Sequence, residues 1–214
     1  SIDDIKWVYG KLSESYSMTF DEIATEYLGY TITRDRSSKT LKLDQFGTVN
    51  VLVNVAGILS NNKIQETSTS EWNKVMAVNV TGTFLMTKYV VPHMIEHKWG
   101  RIVNGSALGI PYGGGEHSFN YNLSKHCLEF IPGKFRDWAK KNILINNLRI
   151  GHTNTKIHKK MKKTIFGSRR INLIPMNRMA NKDEIVGTVL YLASDASSYV
   201  TGQNIYIDGG LSAW

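Results

Sequence analysis

The sequence contains a single cysteine, Cys127, in 214 residues. One thiol closes no internal disulfide and supplies no multi-thiolate metal site. No uninterrupted apolar run approaches the ~18 residues a membrane span needs. The opening residues Ser1-Ile2-Asp3-Asp4-Ile5 do not read as a secretory signal. No internal repeat or low-complexity tract is present. These absences predict a reduced, cytoplasmic compartment, with no membrane and no metal. The composition is 42% apolar and 21% charged, that of a globular rather than a disordered chain. At about 150 residues per domain, the length predicts one domain.

Positive charge is in excess. Lys plus Arg is 26 against 18 for Asp plus Glu, a net charge of +8. That balance favours an anionic partner, whether a nucleotide cofactor, a phosphorylated substrate or nucleic acid. It is equally compatible with a merely basic surface.

The chain divides near residue 47. Beyond it, strand candidates Val49–Val53, Arg101–Asn104, Ile143–Ile150 and Asn204–Ile207 are short and rich in Val and Ile. Few polar positions interrupt most of them, which suits strands buried on both faces of a parallel sheet. Helical stretches of about 20 residues separate them, and this alternation predicts an α/β layered fold. In the helix expected over Ser70–Glu96, Trp72, Val75, Met76, Thr83, Met86 and Val90 share one face, with Asn79 in the middle of the stripe. A second helix is expected over His117–Lys141, kinked or broken at Pro132. Asn181 with Glu184 resembles a capping box opening the helix Lys182–Ser194. Before residue 47, helices over Asp4–Tyr16 and Phe20–Leu28 and a hairpin over Tyr30–Leu43 are expected.

The residues that carry chemistry begin with Tyr121-Asn-Leu-Ser-Lys125. Positions i and i+4 lie on one helical face. An ammonium one turn from a phenol stabilises the phenolate and draws its pKa down toward the range of an acid–base catalyst. Alone, the pentapeptide also describes a surface tyrosine beside a solvated lysine. Ser106 follows the strand Gly100–Asn104, where open α/β sheets place their ligands, although capping serines are common in such positions. Asn79 on a buried stripe needs partners for donor and acceptor. It is either a satisfied core amide or one that opens the helix locally and holds a water for proton relay. Asn54-Val-Ala-Gly57 ends a strand with small residues that let backbone approach a cofactor closely.

With Gly100-Arg-Ile-Val, Ile145-Asn146, Gly151, Thr155, Thr201-Gly202 and Asp208-Gly209-Gly210 added in order, residues 47–214 resemble the short-chain dehydrogenase/reductase family. The resemblance implies a Rossmann-like three-layer fold with a mostly parallel sheet, an NAD or NADP cofactor, and hydride transfer between nicotinamide and a substrate alcohol or carbonyl. Carried over by motif, Tyr121 is the acid/base. Lys125 lowers its pKa and holds the nicotinamide ribose. Ser106 bonds the substrate oxygen, and Asn79 anchors the relay water. Asn54, Ala56, Gly57, Gly151, Thr153 and Thr155 line the cofactor, together with Tyr121 and Lys125. The family also implies a homodimer or homotetramer through the helices carrying Asn79 and Tyr121, with Phe84, Tyr89 and Phe130 exposed on them.

The departures are equally specific. The glycine-rich phosphate-binding turn T-G-x-x-x-G-x-G has no counterpart in these residues. The expectation is one domain whose N-terminal βαβ portion is missing or replaced, with residues 1–46 as an atypical segment. Ser106 to Tyr121 is two residues longer than the common spacing, and Ile150 stands where the family has proline. The run Lys156–Arg170 holds seven Lys and Arg residues over the expected substrate side. It reads either as an anionic-substrate contact or as a solvated lid. Nucleic-acid binding ranks behind both, because no aromatic stacking set accompanies the charges. Two functions remain open: an NAD(P)-dependent oxidoreductase, or an inactive relative acting as a binding or assembly module.

Overall fold

The computed structural model describes residues 49–60, 62–108, 117–155 and 170–213. The expected helices and hairpin before residue 47 and the basic stretch up to Arg169 lie outside them. Four strands, β1 (Val51–Asn54), β2 (Gly100–Ala107), β3 (Ile143–Ile150) and β4 (Asn204–Ile207), form one sheet in the order β1-β2-β3-β4. Every neighbouring pair is parallel. The last two strands have the bounds expected from sequence. β1 starts two residues later than expected, because pairing begins at Val51 opposite Arg101. β2 runs three residues further than expected, because β3 pairs it from Gly100 to Ala107. Ser106 is therefore inside the last turn of the ladder rather than beyond the strand.

Helices cover both faces. The helical chain past Ser68 divides into α1 (Thr69–Met76), a π-helical segment Ala77–Thr81, and α2 (Gly82–His97). The second expected helix breaks as Pro132 requires. It gives α3 (Phe119–Glu129), a 3-10 turn over Pro132–Lys134, and α4 (Arg136–Ala139). α5 (Asp183–Leu192) begins one residue after the expected start, and the Glu184 carboxylate accepts from the Asn181 N–H at 2.7 Å, half of the capping box. Val90, Val91 and Met94 of α2 pack with Leu52, Ile102, Ile143 and Ile145 on one face of the sheet. Ile185, Val186, Val189 and Leu192 of α5 pack with Val103 and Leu148 on the other. The alternation Ile102/Val103 thus splits one strand between two cores. Tyr89, expected at the surface, is half-buried against the first of them.

The α2 face also carries a polar row. Asn54, Asn104, Asn147 and Asn204 lie side by side in register, one from each strand. Asn54 Nδ2 donates to Asn104 Oδ1 at 2.9 Å, and Asn147 Nδ2 to Asn204 Oδ1 at 2.8 Å and to the Leu128 carbonyl of α3. A one-residue slip of any strand would turn its asparagine into the opposite apolar cluster, so the row penalises wrong registers. Asn104→Ala removes the acceptor of a buried amide. It is expected to cost about 1–2 kcal/mol in denaturant unfolding, whereas a surface asparagine such as Asn73 should change stability by no more than a few tenths.

Candidate active site

One cleft opens at the C-terminal ends of β1, β2 and β3. Gly57, Gly105, Ser106, Tyr121, Lys125, Gly151, Thr153 and Thr155 line it. Seven of these eight are positions expected from sequence, brought together from four separate stretches of chain. β2 delivers Ser106 from the sheet, α3 delivers Tyr121 and Lys125 from one helical face, and the turn after β3 delivers Gly151, Thr153 and Thr155.

Lys125 is 4% exposed, and its Nζ donates to the Gly105 carbonyl at 2.8 Å. The same Nζ stands 5.9 Å from the Tyr121 ring centroid. Burial lowers the lysine from 10.5 to about 8, since a desolvated ammonium lacks the hydration it has in the unfolded chain. Thr153 Oγ1 donates to the Gly151 carbonyl at 3.1 Å. Gly151 packs so closely on the turn after β4 that a Cβ there would lie 2.7 Å from Asp208 Cα.

Asn79 does not line the cleft; it builds the wall behind it. Fully buried in the π-helical segment, it accepts from the Ile58 N–H at 2.9 Å and donates to the Ile58 carbonyl at 3.1 Å. Its amide also donates to Ser124 Oγ at 2.9 Å. Gly82 donates to the Ala77 carbonyl five residues back, so the helix is locally widened around Asn79. Asn79 therefore has protein partners for both donor and acceptor, as a satisfied core amide does, and it sits in a locally widened helix. Asn54 points along the sheet to Asn104, away from the cleft lining, and Ala56 is exposed at the end of β1.

Three partners went unnoticed in the sequence. Ser124 sits inside the Tyr-x-x-x-Lys motif and ties α3 to Asn79. Glu129 and Arg149 form an ion pair whose side chains are 5% and 16% exposed. The hydrogen-bonded carboxylate holds Arg149 above its ordinary pKa. Ser106 Oγ donates to Glu129 Oε1 at 2.7 Å. The only sequence signal for this pair is periodicity. Glu129 falls one turn past Lys125 on α3, and Arg149 falls two residues past Asn147 on β3.

The described residues fit the nicotinamide–ribose half of a dinucleotide. Gly57 leaves space that a side chain would close, since a Cβ there would meet Lys125 Nζ at 3.1 Å and Asn79 Oδ1 at 3.4 Å. Lys125, Thr153 and Thr155 line the same cleft.

A family model described as enoyl-(acyl carrier protein) reductase matches residues 37–212. The chain belongs to the short-chain dehydrogenase/reductase family. With it the chain belongs to the NAD(P)-dependent oxidoreductases acting on CH–OH and C=O groups. A 3-oxoacyl-(acyl-carrier-protein) reductase of Buchnera aphidicola subsp. Schizaphis graminum is 35% identical over 167 residues, 77% of this chain and 67% of that protein. An acetoacetyl-CoA reductase of Allochromatium vinosum is 32% identical over 169 residues, 78% of this chain and 68% of that protein. Among solved structures, a gluconate 5-dehydrogenase from Burkholderia cenocepacia in complex with NADP and tartrate superposes with a TM-score of 0.76 at 28% identity. That match covers 80% of this chain and 68% of the other. The chain thus spans about two thirds of the length of these relatives. They support the oxidoreductase reading over the binding-module one. Among the described residues no helix is long and apolar enough to cross a membrane, and no group of three or more His, Cys, Asp or Glu side chains could hold a metal ion.

Proposed function

We propose that this protein interconverts a keto and a hydroxy group on an acyl thioester, with Tyr121 as the acid/base. The observation that carries the reading is the convergence of Ser106, Tyr121 and Lys125 in one cleft with a glycine-walled space beside them. NAD or NADP, when bound, supplies or accepts the hydride. Lys125, Gly57, Thr153 and Thr155 would hold its nicotinamide–ribose half. Tyr121 gives its phenolic proton to the carbonyl oxygen in reduction and takes it back in oxidation. The Lys125 ammonium stabilises the phenolate left behind. Ser106 meets the substrate oxygen, and Asn79 keeps the widened helix in place for a relay water. Asn54, at the end of β1, and Ala56, two residues past it, would support the cofactor from outside the cleft lining.

The thioester class follows from the relatives named for 3-oxoacyl and acetoacetyl-CoA substrates. A coenzyme A ester carries phosphates, which suits a chain of net charge +8 with seven Lys and Arg between Lys156 and Arg170. A cytoplasmic location suits such a substrate. Phe84 on α2 and Phe130 at the C-terminal cap of α3 are 56% and 67% exposed, which supports a homodimer or homotetramer through those helices. The mass by light scattering at micromolar concentration checks the assembly.

The test of function is fluorescence titration with NADPH and NADH, followed by turnover of acetoacetyl-CoA. Saturable binding and turnover are expected, and a chain that binds either cofactor yet reduces no 3-oxoacyl thioester would overturn the substrate class. Gly57→Ala is expected to weaken cofactor binding about tenfold. The added Cβ must push Lys125 Nζ aside, a loss of about 1–1.5 kcal/mol of hydrogen bonding. Its unfolding midpoint should fall as well, because the Nζ that must give way is buried and bonded to the Gly105 carbonyl.

A further inference from the structure

The loop that follows β1 forms one side of the cleft, and it is held from behind. Gly57 and Leu59 line the cleft. Ile58 between them is fixed by Asn79 through both its N–H and its carbonyl. Past Leu59 the loop bonds to α1. Ser60 is buried, and its hydroxyl donates to Glu71 Oε1. Asn62 Nδ2 donates to Glu71 Oε2 at 2.7 Å. One carboxylate thus ties two points of the loop, eleven and nine residues back along the chain. At its far end the loop meets the residues before α3. The Asn62 carbonyl accepts from the Ser118 N–H at 3.3 Å, and Lys63 pairs with His117 in an antiparallel bridge.

The local sequence offers Glu71 a different partner. Ser68-Thr-Ser-Glu71 has the pattern of a capping box, in which the carboxylate reaches back to the N–H of the capping serine. The serine half is in place, with Ser68 Oγ accepting from the Glu71 N–H at 3.1 Å. The carboxylate goes to Ser60 and Asn62 instead. In α5 the corresponding Glu184 does reach back, to the Asn181 N–H. A carboxylate in the first turn favours the helix through its dipole wherever the oxygens point. α1 therefore keeps that benefit while the oxygens serve the loop. Bonds to an ionised acceptor are about twice as strong as neutral ones. The bond from Ser60, and after it the bond from Asn62, hold the Glu71 carboxyl below its ordinary pKa, so the acceptor is ionised at neutral pH.

We propose that Glu71 is a positioning residue for the cofactor: by tying Ser60 and Asn62 to α1, it holds Gly57 and Leu59 in the arrangement that receives the nicotinamide–ribose half. The inference rests on the cleft being the cofactor site. It assigns Glu71 no contact with cofactor or substrate. Both ends of the loop are held by other residues, Ile58 by Asn79 and Asn62 by Ser118. Losing Glu71 should therefore free the middle of the loop without unfolding the domain. Lys125 Nζ stays anchored to the Gly105 carbonyl, so the groups that carry the proton keep their places. A loop that samples other conformations lowers cofactor affinity by the fraction of time it is competent.

The test is titration of the whole chain with NADPH, beside kcat for acetoacetyl-CoA at saturating cofactor. Glu71→Ala is expected to raise the NADPH dissociation constant about tenfold, which corresponds to a competent fraction of about one tenth, and to change kcat by less than about threefold. Asn62→Asp sets a second carboxylate against Glu71 and should weaken binding about as much. Asn62→Asp/Glu71→Gln reverses the polarity of that contact. The amide introduced at 71 donates to the carboxylate introduced at 62, and its oxygen still takes the Ser60 hydroxyl. The double variant should return to within about threefold of the wild-type dissociation constant. A merely structural role would lower the folded fraction without this split between affinity and kcat. If Glu71→Ala does not fold, the comparison of Asn62→Asp with the double variant decides by itself. A dissociation constant unmoved in Glu71→Ala, a fall in kcat as large as the loss of affinity, or a double variant no tighter than Asn62→Asp overturns the proposal and leaves the cofactor reading standing. A wild-type chain that binds neither NADPH nor NADH overturns the cofactor reading, and the proposal with it.

Discussion

Tyr121→Phe is expected to lower turnover about a hundredfold or more while leaving cofactor affinity nearly unchanged. The substitution removes one hydroxyl and keeps the ring that packs in the cleft beside Ser106 and Lys125. General acid–base catalysis is worth about 10²–10⁴ in rate. Without the phenol, the developing alkoxide must take its proton from water. Lys125 Nζ is anchored to the Gly105 carbonyl at 2.8 Å, so its position does not depend on the tyrosine hydroxyl. For that reason the titration with NADPH should look like that of the wild type. Steady-state kinetics with acetoacetyl-CoA, run beside that titration, separate the two effects. Full activity in Tyr121→Phe would remove Tyr121 from the chemistry.

What could be read in the sequence follows a simple division. Elements specified by local period and local punctuation were legible. β3 and β4 are short runs dominated by Ile, Leu and Asn, with Arg149 and Tyr206 among them, and their limits matched. Pro132 lacks the N–H a helix needs, and the helix ends before it. The cleft residues were legible because a motif names them in order along the chain. What escaped is what depends on register between strands. The four asparagines look like unrelated polar interruptions in the sequence, and only the pairing of Asn54 with Asn104, Asn104 with Asn147 and Asn147 with Asn204 makes them a row. Glu129 and Arg149, similarly, are twenty residues apart on different elements. The period of each element puts its residue on the right face but does not pair the two. The limits of β1 and β2 were missed for the same reason, since a strand ends where its partner stops supplying hydrogen bonds.

Lys125 should make the protein less stable at neutral pH than at high pH, by about 3 kcal/mol between the two limits. Its pKa in the folded protein is about 8, lowered from 10.5 by burial. Below pH 8 both folded and unfolded chains carry the proton, and the folded chain bears the whole cost of a desolvated ammonium. Between pH 8 and 10.5 the folded lysine is neutral while the unfolded one still binds a proton. The unfolded state then holds more protons, so unfolding free energy rises with pH across that window. Above 10.5 the gain is complete. A shift of this size at 1.36 kcal/mol per pKa unit gives the figure of about 3 kcal/mol. Lys125→Met isolates the effect. The difference in unfolding free energy between variant and wild type should favour the variant at pH 7 by about 1–2 kcal/mol, after the lost bond to the Gly105 carbonyl is charged against it. That difference should shrink and change sign as pH passes through the window, since other titrating groups cancel in the comparison. The same variant should bind NADPH more weakly, since the only ammonium among the described residues lining the cleft is gone. A stable variant with poor cofactor binding is the expected trade, because the charge that costs folding energy is the one proposed to serve the phenolate and the ribose. A pH-independent stability difference would mean that Lys125 titrates alike in both states and that its ammonium is solvated rather than buried.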